Sequence, residues 1–136
     1  MNAKQLIQEF FDSKFHKDAA ALEKYLHPDF EIYWNSSAGY SHMDKESFST
    51  MLLEMSKSFE SIRFDITHML EDNNAVTVRY TYHVRAIENP EEEIPMAHFI
   101  SIFEVEGEKI LKAFQISQPA EESLESMKSF LPNNIE

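Results

Sequence analysis

Cysteine is missing from this 136-residue sequence, and glycine occurs only twice. The first absence removes disulfides, thiol nucleophiles and cysteine-ligated zinc. The second removes the glycine-rich loops that cradle nucleotide phosphates, and no cofactor is expected. No apolar run approaches the ~20 residues needed to cross a bilayer. The first ten residues, MNAKQLIQEF, are amphipathic and lack the apolar block of a secretory signal. Positive charge is also scarce. Twelve Lys and Arg stand against 24 Asp and Glu, a formal net charge of -12. Such a chain repels phosphate backbones and anionic lipid surfaces, so neither nucleic acid nor membrane is an expected partner. A cytoplasmic location is expected.

What is present is an ordinary globular composition, 43% hydrophobic and 26% charged, in a length that suits a single domain over residues 1–136. Over residues 2–14, Leu6, Ile7, Phe10 and Phe11 recur at helical spacing, with Asn2 and Gln5 placed as a capping pair. Asp18 can cap a second short helix carrying Leu22, Tyr25 and Leu26, which Pro28 stops. A short strand follows in which Phe30, Ile32 and Trp34, the only tryptophan, share one face. NSSAGYSHMD then reads as a polar loop. Asp44 begins a third helix with Phe48, Met51, Leu52, Met55 and Phe59 on one stripe.

From Ile62 the period changes to two. Ile62, Phe64, Ile66, His68 and Leu70 alternate with Arg63, Asp65, Thr67 and Met69, and EDNN turns the chain. Val76, Val78, Tyr80, Tyr82 and Val84 form one face of the next strand. ENPEEEIP reads as a solvated acidic loop, with further strands at 96–105 and 110–117. Pro119 ends them, and residues 119–136 read as a C-terminal helix and tail with Leu124, Met127 and Leu131 on one side. The expected class is α+β, an antiparallel meander curling as a cone around three N-terminal helices, with a short C-terminal helix. Such a cone of this size tends to enclose a pocket.

The order of elements, LHPDFEIYW after the second helix and FEVEGEKI at the last hairpin resemble the nuclear transport factor 2-like superfamily, in its SnoaL-like and ketosteroid-isomerase-like branches. The resemblance spans residues 3–118. It implies a cystatin-like α+β barrel, homodimers through the outer sheet face, and a pocket that either catalyses or only binds. Catalytic members carry a carboxylate just after the first strand or on the strand before the last hairpin. Here those stretches read YWNSS and HFISIFEVEGEKI, with Asn35 or Ser36 and Ser101 where an acid is expected. Neither Asn nor Ser unaided supplies a general base.

Histidine is the remaining acid–base candidate. His68, His83 and His98 fall on successive strands, but His68 and His83 lie some six residues apart along the hairpin, roughly 20 Å. A metal needs ligands about 2 Å from one centre, so no metal site is expected. A register pairing Val84 with His98 and Tyr82 with Ile100 puts His98 on the face of Tyr80 and Tyr82. There His98 is either a satisfied core residue or a pocket acid or base, with Tyr80 or Tyr82 polarising an oxygen. Arg79, Thr81, His83, Phe99 and Phe103 then fall on the outer face as a dimer contact, and His42 sits in a loop at the pocket mouth. Trp34, Asn35, Met55, Phe59, Tyr80, Tyr82, His98 and Phe114 are the candidate ligand contacts. The expected function is binding of an apolar or aromatic small molecule, with cofactor-independent lyase, isomerase or hydrolase chemistry as its catalytic form. The other reading is a non-catalytic dimerising module that senses a ligand or binds a protein.

Overall fold

The computed structural model describes residues 2–121 and 123–130. Helix α1 (Ala3–Asp12) starts at a reciprocal capping box between Asn2 and Gln5 and buries Leu6, Ile7, Phe10 and Phe11. A 3-10 turn (Phe15–Lys17) leads to α2 (Ala19–Tyr25), where the Asp18 carboxylate accepts from Ala20 and Ala21. Leu26 already belongs to strand β1 (Leu26–Ser36). The expected polar loop after it is a hairpin instead. Strand β2 (Gly39–Asp44) pairs antiparallel with β1, and Gly39 at φ 109 makes the turn. Helix α3 (Lys45–Ser56) is capped by Asp44, and Phe59 falls beyond it in β3 (Phe59–Asp72). Strands β4 (Ala75–Ala86), β5 (Asn89–Glu106) and β6 (Lys109–Pro119) complete the sheet. Helix α4 (Leu124–Lys128) follows, with Met127 buried. The expected extension of this helix to Leu131 lies outside the described residues.

The sheet order is β2-β1-β6-β5-β4-β3. The pairings are antiparallel except β1 with β6, which run parallel, so the sheet is mixed and open at β2 and β3. It curves around α1, α2 and α3 as an α+β cone. Phenylalanine rings fill the narrow part. Phe10 stacks on Phe15 with centroids 4.0 Å apart and meets Phe11, Tyr25 and Phe103 edge-on.

Extra residues in β3, β5 and β6 decide which side chains point inward. A bulge inserts one residue against the partner strand and reverses the alternation beyond it. In β3, Ile66 pairs with Tyr80 and His68 with Arg79, so Thr67 is extra. Met69 therefore packs on the core, while His68 and Leu70 are exposed, against the expected face. In β5, Ala97 pairs with Tyr82 and Pro95 with His83, leaving Met96 extra. In β6, Ile110 pairs with Val105 and Lys112 with Glu104, leaving Leu111 extra. Ile110 is buried, yet Ala113 and Gln115, not Phe114, continue the inward face.

The expected register between β4 and β5 is also corrected. Ala86 pairs with Asn89 across a turn of Ile87 and Glu88, so ENPEEEIP from Asn89 onward is strand and not loop. His98 pairs with Thr81 and Phe99 with Tyr80, three positions from the expected register. An odd slip exchanges the faces. Phe99, Ser101 and Phe103 point inward, and Ile100 and Ile102 are exposed. Phe99 stacks on Tyr80 with planes 4° apart, a large-ring burial that the expected register would forgo.

Candidate functional site

The wide part of the cone is not filled. It holds a cavity of about 420 Å³, bounded below by Phe10, Phe11 and Phe15 and on one side by Met51, Leu52 and Met55 of α3. Trp34 of β1 closes another side. Tyr80, Tyr82, Phe99, Phe103 and Gln115 form the sheet wall. Ser37, Met96, Gln118 and Pro119 also line it and are exposed, which marks the open end. Methionines on α3 suit such a boundary, since an unbranched thioether adapts its shape to what it touches.

Polar groups enter this apolar wall at few points. Trp34 Nε1 donates to Ser117 Oγ at 2.8 Å. Tyr80 Oη lies 3.0 Å from Ser101 Oγ and 3.3 Å from Gln115 Oε1, and Ser101 Oγ donates to Gln115 Oε1 at 2.8 Å. Tyr82 Oη is buried without a hydrogen-bond partner among the described residues. Burial pushes the phenols of Tyr80 and Tyr82 up, with the Ser101 contact opposing it at Tyr80 and neighbouring Tyr80 adding to it at Tyr82. Both are neutral hydroxyls at any physiological pH. Among the described residues no Asp, Glu, His, Lys or Arg lines the cavity.

Of the eight candidate contacts, the fold gathers Trp34, Met55, Tyr80 and Tyr82 around this space. The other four lie elsewhere. Asn35 follows inward Trp34 on β1 and is exposed, paired with Tyr40 and Ile116. Phe59 packs on the core at the start of β3 without lining the cavity. Phe114 is turned outward by the Leu111 bulge and stacks on Tyr33 at 5.3 Å. His98 is on the opposite side of the sheet from the cavity because of the register of β5.

That outer position has its own chemistry. His98 Nδ1 and Thr81 Oγ1 are 2.8 Å apart, and the ring stacks on Phe130 with centroids 3.8 Å apart. Burial lowers its pKa, with Arg79 and His83 adding to the effect. His83 Nε2 is 2.9 Å from Asp65 Oδ2, an ion-pair contact without hydrogen-bond alignment. Burial first and Arg63 second lower the His83 pKa, against the pull of Asp65 and Glu93. Arg63 itself bridges Asp65 and Glu93. His42 is on β2, stacked on Tyr33 and 2.9 Å from Glu31, not at the cavity mouth. Among the described residues no three His, Asp or Glu are grouped to hold a metal ion.

Gln115 and Ser117 are cavity groups that the sequence pattern does not single out, and Ser101, read only as standing where an acid is expected, is buried directly behind Gln115. With Phe99 and Phe103 taken as inward, the pairings Phe99 with Ser117 and Ser101 with Gln115 place all three on the same face. The available signal was ring size, with phenylalanine rather than isoleucine as the inward residue of β5.

The SnoaL-like domain family matches residues 7–113. No curated protein matches the chain in sequence. Solved structures agree in fold at low identity. IdmH, a candidate polyketide cyclase from Streptomyces antibioticus, superposes with a TM-score of 0.70 at 15% identity, over 86% of this chain and 92% of that one. A candidate polyketide cyclase from Acidithiobacillus ferrooxidans gives 0.69 at 16%, over 85% and 87%. A candidate SnoaL-like polyketide cyclase from Shewanella denitrificans gives 0.69 at 16%, over 94% and 95%. No helix among the described residues is long and apolar enough to cross a membrane.

Proposed function

This chain belongs to the SnoaL-like domain family, and from that premise we propose that it binds an uncharged apolar or aromatic small molecule inside the cone. One observation carries the reading, a 420 Å³ cavity walled by rings and methionines, with no ionic residue among the described residues of its lining. That volume is within the range of small-molecule sites, which combine apolar walls with a few placed polar groups. Burying an ion there would leave its charge without a partner, so neutral ligands are favoured.

Binding is the better-supported form of this function. Acid–base catalysis needs a group with a pKa near working pH. The titratable groups in the wall, Tyr80 and Tyr82, are held protonated by burial. Lyase, isomerase or hydrolase chemistry here would run on hydrogen-bond polarisation alone, and His98 is on the wrong side of the sheet to assist. Trp34, Met55, Tyr80 and Tyr82 are the proposed ligand contacts. A single domain and a cytoplasmic setting belong to the same proposal, supported by one continuous sheet and a cysteine-free chain. So does a homodimer across the outer sheet face. Its support is the exposed set Ile100, Ile102, Phe114 and Ile116, in which Ile100 pairs with Ile116 and Ile102 with Phe114. A contiguous apolar patch of this kind marks an interaction surface.

Trp34 supplies the test, as the single indole of the chain and a lining residue. Aromatic and polyketide-type neutral compounds should quench its fluorescence saturably, with matching heats by calorimetry. A panel producing neither quenching nor heat would remove the binding reading.

A further inference from the structure

The hydroxyls on and directly behind the cavity wall are oriented. Tyr80 and Ser101 have one hydroxyl proton each. Ser101 gives its proton to Gln115 Oε1, 2.8 Å away, and Tyr80 reaches Ser101 Oγ at 3.0 Å and Gln115 Oε1 at 3.3 Å. Whichever acceptor Tyr80 uses, the donors run toward the Gln115 carboxamide oxygen. Gln115 thus has its acceptor engaged by the protein. Its amide nitrogen carries two N–H donors and meets no acceptor among the described residues. That nitrogen is not among the occluded polar atoms, and Gln115, only 8% exposed, lines the cavity. The free donors therefore face the cavity. Ser117 adds to the pattern, because its oxygen accepts from Trp34 and its own proton meets no acceptor among the described residues.

We infer that Gln115 is the specificity-determining contact of this cavity, donating its amide N–H to a neutral carbonyl oxygen or ring nitrogen on an otherwise apolar ring compound. The inference rests on the cavity being a ligand site and names the class of ligand it selects. An acceptor on the ligand matches a wall that presents donors. A hydrocarbon of the same shape leaves the buried amide unpaired, which costs binding. A carboxylate meets a wall with no counter-charge and must shed its water to enter.

Three probes with one ring skeleton test it. 9-Fluorenone, fluorene and fluorene-9-carboxylate differ in a carbonyl, its absence and a charge. The wild-type protein should bind fluorenone roughly 5- to 30-fold more tightly than fluorene, with the carboxylate weakest. Gln115→Met keeps the length of the side chain and deletes the N–H donors with the rest of the carboxamide. Gln115→Leu deletes the carboxamide in a shorter apolar side chain. Each variant that folds should bring the fluorenone-to-fluorene ratio close to one. Equal binding of fluorenone and fluorene by the wild type overturns the assignment while leaving the cavity reading intact. So does a wild-type ratio that persists in a folded Gln115 variant. If none of the three probes binds the wild type, the cavity reading itself fails and this inference falls with it. The wild-type comparison decides the matter even where a substitution disturbs folding.

Discussion

Uncharged polar groups sit on the concave face of the sheet, and titrating ones collect on the convex face. Inside, Tyr80, Ser101, Gln115 and Ser117 hydrogen-bond among themselves and with Trp34 around an apolar void. Outside, Arg63, Asp65, His83 and Glu93 form an ionic cluster, with Thr81 and His98 beside it under Phe130. The same strands supply both sets by alternation. The cavity groups are thus set apart from this ionic cluster, because the sheet stands between them. Further along, the convex face has no ionic cluster and leaves isoleucines in water.

The sharpest contrast between the faces is in packing. Phe10 is 2% exposed and touches four other aromatic rings, whereas Phe114 is 40% exposed and stacks on Tyr33. Phe10→Ala should cost about 3–5 kcal/mol in urea unfolding, as large-to-small core changes do. Phe114→Ala, measured at low protein concentration, should cost less than about 1 kcal/mol. Comparable losses at the two positions would mean that the convex face is packed as tightly as the concave one.

Association comes next in size. A two-fold contact repeats every residue pair, so one substitution near the axis acts twice. Ile116 is 67% exposed. Ile116→Lys should raise the dimer dissociation constant by about 100-fold or more in sedimentation equilibrium, with no change in cavity binding. A wild-type protein that stays monomeric at tens of micromolar would remove the dimer from the proposal.

Much of the fold is legible in the sequence because helices and caps are local. Asn2 with Gln5, Asp18 and Asp44 announce three helix starts, and the change of period at Ile62 announces the meander. The site is less legible because it depends on parity. Met96 and Leu111 each shift the count by one residue, and nothing in their chemistry marks them as bulges. That is why Trp34, Tyr80 and Tyr82, on strands read in the right phase, border the cavity, while His98 and Phe114 do not. The β2 hairpin was hidden for another reason. Its residues are mostly exposed, with Met43 alone packed on the core, so no alternation betrays a strand.

A smaller effect separates the faces by pH. The imidazole of His16, buried beside Phe15 and Phe64, is pushed down to about 4 by burial, then by Lys17 and Lys14. His83 and His98 are lowered too, with burial the leading cause in each. A folded pKa below the unfolded 6.5 means that the unfolded chain takes up protons first as pH falls. Stability should be full above pH 6.5 and decline toward pH 4, where folded His16 also protonates. Melting temperatures from pH 7 to 5 should therefore slope downward, and His16→Gln should flatten the slope more than His98→Gln. An unchanged slope in His16→Gln would assign the decline to the convex-face histidines instead.

The smallest effect concerns the cover on the convex face. Phe130 lies against two groups from the sheet, with the Arg79 guanidinium 3.7 Å and the His98 ring 3.8 Å from its centroid. Arg79 also donates to the Ser129 carbonyl and hydroxyl, so the segment is held by hydrogen bonds as well as by the ring. A partly exposed cation–π contact contributes about 0.5–1 kcal/mol and an aromatic pair a similar amount, so Phe130→Ala should cost about 1–2 kcal/mol. The more specific sign is the titration of His98. Burial is the main reason that its pKa is low, and removing the ring above it admits water, so its pKa should climb toward the ordinary 6.5. Proton NMR of the His98 ring against pH reads this directly. Phe130→Leu restores apolar cover without an aromatic face and should recover much of the depression but not the cation–π contribution. A His98 titration identical in wild type and Phe130→Ala would show that this segment does not shield the sheet in solution. The surface then free for association would extend from Ile116 across to His98.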